Sequence, residues 1–285
     1  MSFNKESSRL TRLLLLLLVC LSVFAQAQGT ETIEITTSAP SSVPTVQPII
    51  SLGIRQDKSA LSQRNFVWTS KLRYDSAVST LFSDDDLYAL AKQAWDEMQA
   101  DIAARRPGNG KNANTITKKD EPGMMGLIAV GNTIYLASSM KGGKFIYGYT
   151  GADGQPGQVA LALDRCQMAL RTEVDPNVAP HHTNKASCAE ILALHQYYLD
   201  PAVSAADKAK LPAGMRAAAY GDGGNKKRGP KPYEPCAGKG GDAMTWGCSQ
   251  FLGSMKIVAP PLPSGTLSIP TPVPVEITYI PVCES

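Results

Sequence analysis

The chain has 285 residues, with 28 Lys plus Arg against 25 Asp plus Glu and a formal net charge of +3. That balance is too weak to point to nucleic acid or a membrane surface as a charge-driven partner. The length fits one domain of ordinary size with tails, and the chain carries neither an internal repeat nor an N-x-S/T glycosylation sequon.

The first element is an export signal. Lys5, Arg9 and Arg12 form a basic start, Leu13 to Phe24 is apolar apart from Ser22, and Ala25-Gln26-Ala27 offers small residues where a signal peptidase reads. The apolar run is too short to cross a bilayer, which takes about 20 residues. Residues 1–27 are therefore expected to be a cleaved signal peptide. The mature chain is expected to be secreted, extracellular and without a transmembrane segment.

Residues 28–75, rich in Thr, Ser and Pro at their start, are expected to be disordered. A domain follows over 76–260. Ser83 with Asp84, Asp85 and Asp86 is a helix start, with a cap and acids in the first turn. Leu87, Leu90, Ala91, Ala94, Trp95 and Met98 follow at helical spacing. Pro107-Gly108 stops that helix, and Lys111 to Pro122 reads as a polar loop. Met124 to Val130 and Thr133 to Ser138 are strands joined by Gly131-Asn132, a strong hairpin signal. A helix is expected from about Ser187 and is limited by Pro201. A strand over Met215 to Tyr220, a basic glycine-rich loop over Gly221 to Lys231, a helix over Cys248 to Met255 and a strand over Lys256 to Ala259 complete the domain. Helices alternating with strands predict a sheet between helices. Residues 261–285 read as an extended Pro-rich strap lying on the domain, tied by Cys283.

Of six cysteines, Cys20 belongs to the signal, leaving Cys166, Cys188, Cys236, Cys248 and Cys283. An odd count in an oxidising compartment cannot pair completely. Two partitions fit: two disulfides and a spare thiol, or one disulfide and three metal ligands.

The chemistry-bearing pattern is Cys188-Ala189-Glu190 at a helix start, then Pro235-Cys236 and Gly247-Cys248. A hydrolytic zinc site needs about three protein ligands and one open position. It also needs a carboxylate beside that position to carry protons. This arrangement resembles the cytidine-deaminase-like superfamily, whose members carry H-x-E or C-x-E at the start of one helix and P-C-x-x-C at the start of the next. The initial helix and hairpin ahead of C-x-E also match, so the resemblance spans roughly residues 83–259. It implies an α/β fold: a three-layer cytidine-deaminase-like sheet flanked by helices, with extended Pro-rich tails. It implies one zinc ion per chain held by Cys188, Cys236 and Cys248, with Glu190 as the catalytic acid/base. The substrate would be a small molecule or a nucleic-acid base.

Two departures stand out. Eleven residues separate Cys236 from Cys248 where the family has two, and the return strand continues as Ala137-Ser138-Ser139-Met140 where nucleoside deaminases carry a ribose-binding Asn and Glu. The rival reading is a secreted non-catalytic effector or interaction protein on a degenerate scaffold. In it Cys236 pairs with Cys248, and Cys188 with Cys166 or Cys283. In the zinc reading, Cys166 pairs with Cys283. His181-His182 line a pocket, replace a ligand or, by default, form a solvated loop pair. His195 reads as a partly buried helix residue and Trp246 as core. Lys226-Lys227-Arg228 with Lys231 read as a solvated basic loop.

Overall fold

The computed structural model describes residues 50–106, 116–142, 145–151, 153–174, 181–225, 227, 229–238 and 245–283. The expected signal peptide and the segment 28–49 lie outside these residues. No helix among the described residues is long and apolar enough to cross a membrane.

The helix expected after Ser83 is α3, Asp84–Ala104, preceded by the short helices α1 (Lys58–Ser62) and α2 (Val78–Leu81). A reciprocal capping box starts α3. The Ser83 hydroxyl accepts from the Asp86 backbone N–H, and the Asp86 carboxylate accepts from the Ser83 N–H. The expected hairpin is β3 (Met124–Val130) with β4 (Thr133–Ser138), paired antiparallel from Val130↔Thr133 to Met125↔Ser138.

Around this hairpin a mostly antiparallel sheet is built in the order β1-β2-β4-β3-β6-β7. Here β1 is Arg55–Gln56, β2 is Trp68–Arg73, β6 is Arg216–Gly221 and β7 is Lys231–Tyr233. The two-residue strands β5 (His181–His182) and β8 (Thr245–Trp246) pair with each other, and β9 (Glu276–Thr278) adds to β2. Residues 50–75 therefore correct the expectation of disorder over 28–75: β2 sits beside β4, with Trp68 and Leu72 fully buried. Its alternation of side chains was present in WTSKLR, but the polar segment ahead of it masked the pattern.

Alternate side chains of each strand feed opposite faces. On one face Leu127, Ala129, Ile134 and Leu136 pack with Leu87, Leu90, Ala94 and Met98 of α3. On the other, Ile128, Tyr135 and Ala137 pack under α4 (Gln158–Val174), α5 (Ala189–Leu199) and α7 (Cys248–Ser254). The molecule is thus mixed α/β with helices on both faces of the sheet. The helix α4 was not among the elements expected from the sequence; its buried side chains are Val159, Ala160, Ala162, Leu163 and Cys166. The short helix α6 is Ala205–Ala209.

The strand expected over Lys256 to Ala259 contracts to one residue. Val258 bridges Arg216 of β6 in the parallel sense, its N–H donating to the Met215 carbonyl and its carbonyl accepting from Ala217 N–H. The strap does lie on the domain, through β9 and through Val282 and Cys283, both buried. Hydrogen bonds fasten it, since Cys283 is a free thiol. Asp57 accepts from Val282 N–H and from the Tyr279 hydroxyl, and Ser59 accepts from Cys283 N–H.

Candidate metal centre

The helix α5 begins where expected, with Cys188 as its N-cap and Glu190 in its first turn. Its approach to the sheet depends on Gly126 of β3: a Cβ there would stand 2.8 Å from Ala189 Cβ and 3.0 Å from Glu190 N. Cys236 follows β7, and Cys248 is the first residue of α7. The eleven-residue separation is closed by backbone contacts, Ser249 N–H donating to the Cys236 carbonyl at 3.0 Å. Gly247 permits this, because a Cβ there would lie 2.1 Å from Cys236 O.

The three cysteines of the sequence pattern therefore converge, and a fourth donor joins them. Ligand atoms of His182, Cys188, Cys236 and Cys248 all lie within 4.8 Å of one another, a group able to hold a metal ion. Cys188 Sγ is 3.6 Å from Cys236 Sγ, and Cys248 Sγ is 3.6 Å from His182 Nε2. Sulfurs at ~2.3 Å from a tetrahedral zinc stand roughly 3.8 Å apart, so this spacing suits such an ion and excludes a disulfide at ~2.05 Å. All five cysteines of the domain are free thiols, so none of the expected disulfides is formed, neither Cys236 with Cys248 nor Cys166 with Cys283. Cys166 instead faces the Ser254 hydroxyl at 3.0 Å.

His182 corrects the default of a solvated histidine pair. His181 is exposed, but His182 is 1 % exposed, held by the pairing of β5 with β8 and packed edge-on against Trp246 at 4.9 Å. Nothing in the local pattern marked it apart from its place ahead of the C-x-E helix. His195 is fully inside, 2 % exposed, its Nε2 donating to the Val282 carbonyl at 3.0 Å. Trp246 is core. In the basic loop, Lys231 is exposed and lies over the Tyr233 ring, while Lys226 and Arg228 fall outside the described residues.

Cys188, Cys236 and Glu190 line a cavity of about 590 Å³ together with Ser139, Asn184 and Tyr233. That volume falls within the ordinary range of small-molecule sites. Cys248 and His182 stand behind it. Burial pushes the Glu190 carboxyl up to about 7, with its own backbone N–H opposing and the neighbouring Cys236 adding to the rise. Among the thiols, Cys236 ionises first, because Cys188 and Cys248 hydrogen-bond its thiolate. Cys188 is held up mainly by that same bond, and Cys248 by burial. The site thus combines soft ligands suited to zinc with a buried carboxyl poised to exchange protons near neutrality.

No protein-family model matches this chain, and comparison with curated proteins and with solved structures finds no significant match.

Proposed function

We propose that this protein is an exported zinc-dependent hydrolytic deaminase of the cytidine-deaminase-like type, acting on a nucleobase-like amidine. The observation that carries the proposal is the meeting of Cys188, Cys236 and Cys248 beside a cavity lined by Cys188, Cys236 and the buried Glu190. The element order adds support: a helix, a hairpin and, after the intervening α4 and β5, the C-x-E helix, then β6 beside β3 and a parallel contact at Val258. The export half of the proposal rests on the order of Lys5, the Leu13 to Phe24 run and Ala25-Gln26-Ala27.

Cys188, Cys236 and Cys248 would hold the zinc ion, which would lower the pKa of a bound water. The chain's own residues do the rest. Glu190, beside the cluster without belonging to it, is placed to hold a proton on its carboxylate and deliver it to the ring nitrogen of the amidine. It then passes a second proton to the departing amine. The balance is one amidine and one water in, one amide and one ammonia out. The cavity is large enough to admit a flat heterocycle. The Ser139 and Met140 segment replaces the ribose-binding Asn and Glu of nucleoside deaminases, so a substrate other than free cytidine is expected.

The test is metal content of the purified full chain together with ammonia release from a panel of bases, nucleosides and nucleotides bearing an exocyclic amine. One equivalent of zinc, and a loss of about 10²–10⁴-fold in ammonia release for Glu190→Gln, are expected. Zinc below a tenth of an equivalent after reconstitution, or a Glu190→Gln variant as active as the parent, would remove the proposal. A second reading, a non-catalytic scaffold stapled by a closed site, draws on His182 as a fourth donor.

A further inference from the structure

Four donor atoms in one cluster allow two arrangements. With His182 as a ligand the site is closed, as in structural zinc sites. Without it, a fourth position stays exchangeable, as in catalytic ones. The 3.6 Å from His182 Nε2 to Cys248 Sγ does not separate them. A nitrogen at ~2.0–2.1 Å and a sulfur at ~2.3 Å from one tetrahedral zinc also stand roughly 3.6 Å apart.

The other ring nitrogen does separate them. His182 Nδ1 accepts from two backbone donors, Asn184 N–H at 3.1 Å and Ala186 N–H at 3.2 Å. Both bonds need the lone pair on Nδ1, so the neutral ring carries its proton on Nε2. A metal-bound histidine does the reverse and donates its second ring N–H outward. Binding a metal through Nε2 here would turn an Nδ1–H against two N–H groups or strip the ring of both protons. The turn that aims these donors is itself unusual. Lys185 and Ala186 are consecutive left-handed non-glycine residues, with φ of 54° and 58°. Such a conformation costs about 1–2 kcal/mol per residue.

The sulfurs supply a second, independent observation. Each has at least one N–H donor: Asn184 Nδ2 toward Cys188 Sγ at 3.6 Å, the Cys248 backbone N–H toward Cys236 Sγ at 3.3 Å, and His182 Nε2 toward Cys248 Sγ. Three thiolates on a divalent ion leave one net negative charge, and three N–H donors spread it. Cys188 and Cys236 line the cavity, and His182 and Cys248 do not.

Building on the functional reading above, we propose that His182 is an outer hydrogen-bond donor to the metal-binding thiolates and not a fourth ligand, leaving the fourth coordination position on the cavity side. It is a positioning residue, acting through Cys248.

The experiment is 15N–1H long-range correlation NMR on the zinc-loaded full chain and on its 113Cd-substituted form. The expected result is an unprotonated Nδ1 and a protonated Nε2 on His182, with 113Cd coupled to three cysteines and to no nitrogen of His182. His182→Gln, whose amide still donates, is expected to retain one equivalent of zinc with affinity weakened about 10–100-fold. Coupling of 113Cd to His182 Nε2, or loss of stoichiometric zinc from a folded His182→Gln, overturns the proposal. Such coupling in a protein that still releases ammonia fails this inference alone. Failure of the chain to take up any 113Cd fails the functional reading and this inference with it.

Discussion

At its C-terminal end α5 buries Asp200, 1 % exposed, against Lys71 Nζ at 2.5 Å, the Tyr135 hydroxyl at 2.6 Å and the Ala202 N–H at 2.9 Å. Burial works against that carboxylate, but these three partners hold its pKa below the usual range. At its N-terminal end α5 buries Glu190, 6 % exposed, and burial wins, raising the carboxyl to about 7. Two acids on one helix, both removed from water, have opposite fates. Asp200 is compensated, so it fastens the helix to β2 and β4. Glu190 faces a cavity with its proton affinity left high, which is useful for moving a proton and of little use for holding a fold.

The sharpest way to break the comparison is to make the same chemical change at both ends. Asp200→Asn leaves Lys71 buried without its counter-charge, and a loss of about 3–5 kcal/mol in urea unfolding is expected. Glu190→Gln removes a carboxylate that the fold does not stabilise, so unfolding free energy at pH 8 is expected within about 1 kcal/mol of the parent or above it. Equal losses from both variants would show that Glu190 is structural after all.

A second test uses the strap against the middle of α5. His195 sits among Phe145, Tyr149 and the Val282 carbonyl, and burial lowers its pKa to about 4, with the Val282 bond opposing. Its folded pKa therefore lies below its unfolded value of about 6.5, so the unfolded chain takes up the proton first. The stability tied to neutral His195 is complete above pH ~6.5 and is lost as pH falls toward 4, by roughly 2–3 kcal/mol at pH 4.5. Urea unfolding at pH 7.5 and 4.5 reads this directly. The extra acid sensitivity of the parent over His195→Gln is the expected outcome, and parallel pH slopes would refute it.

The smallest effect sharpens the role of the turn before α5. Lys185 is exposed and left-handed. Lys185→Gly relieves its backbone, partly offset by the freedom glycine adds to the unfolded chain, and a gain of up to about 1 kcal/mol is expected. A loss in thermal unfolding would mean that the side chain at this position contributes more than its strain.

Several elements were legible because their signals are local. Ser83 and three successive aspartates mark a helix start wherever they occur, and Gly131-Asn132 between apolar runs closes a hairpin without help from the rest of the chain. Cys188 and Glu190, two residues apart, needed only the helix start between them to become neighbours. The misses have the opposite character. β2 was hidden in a polar context, and the expected last strand shrank to Val258.

What the sequence determined by itself was the set of short-range elements and the ligand types on offer, since caps, turns and periodicity act within a few residues. Which cysteines meet, that His182 joins them from a two-residue strand with Nε2 toward a sulfur, and that the strap closes on Asp57 were decided by the tertiary structure. These contacts join residues tens to hundreds of positions apart. Burial against the sheet, which favours polar atoms that find a partner, fixes them.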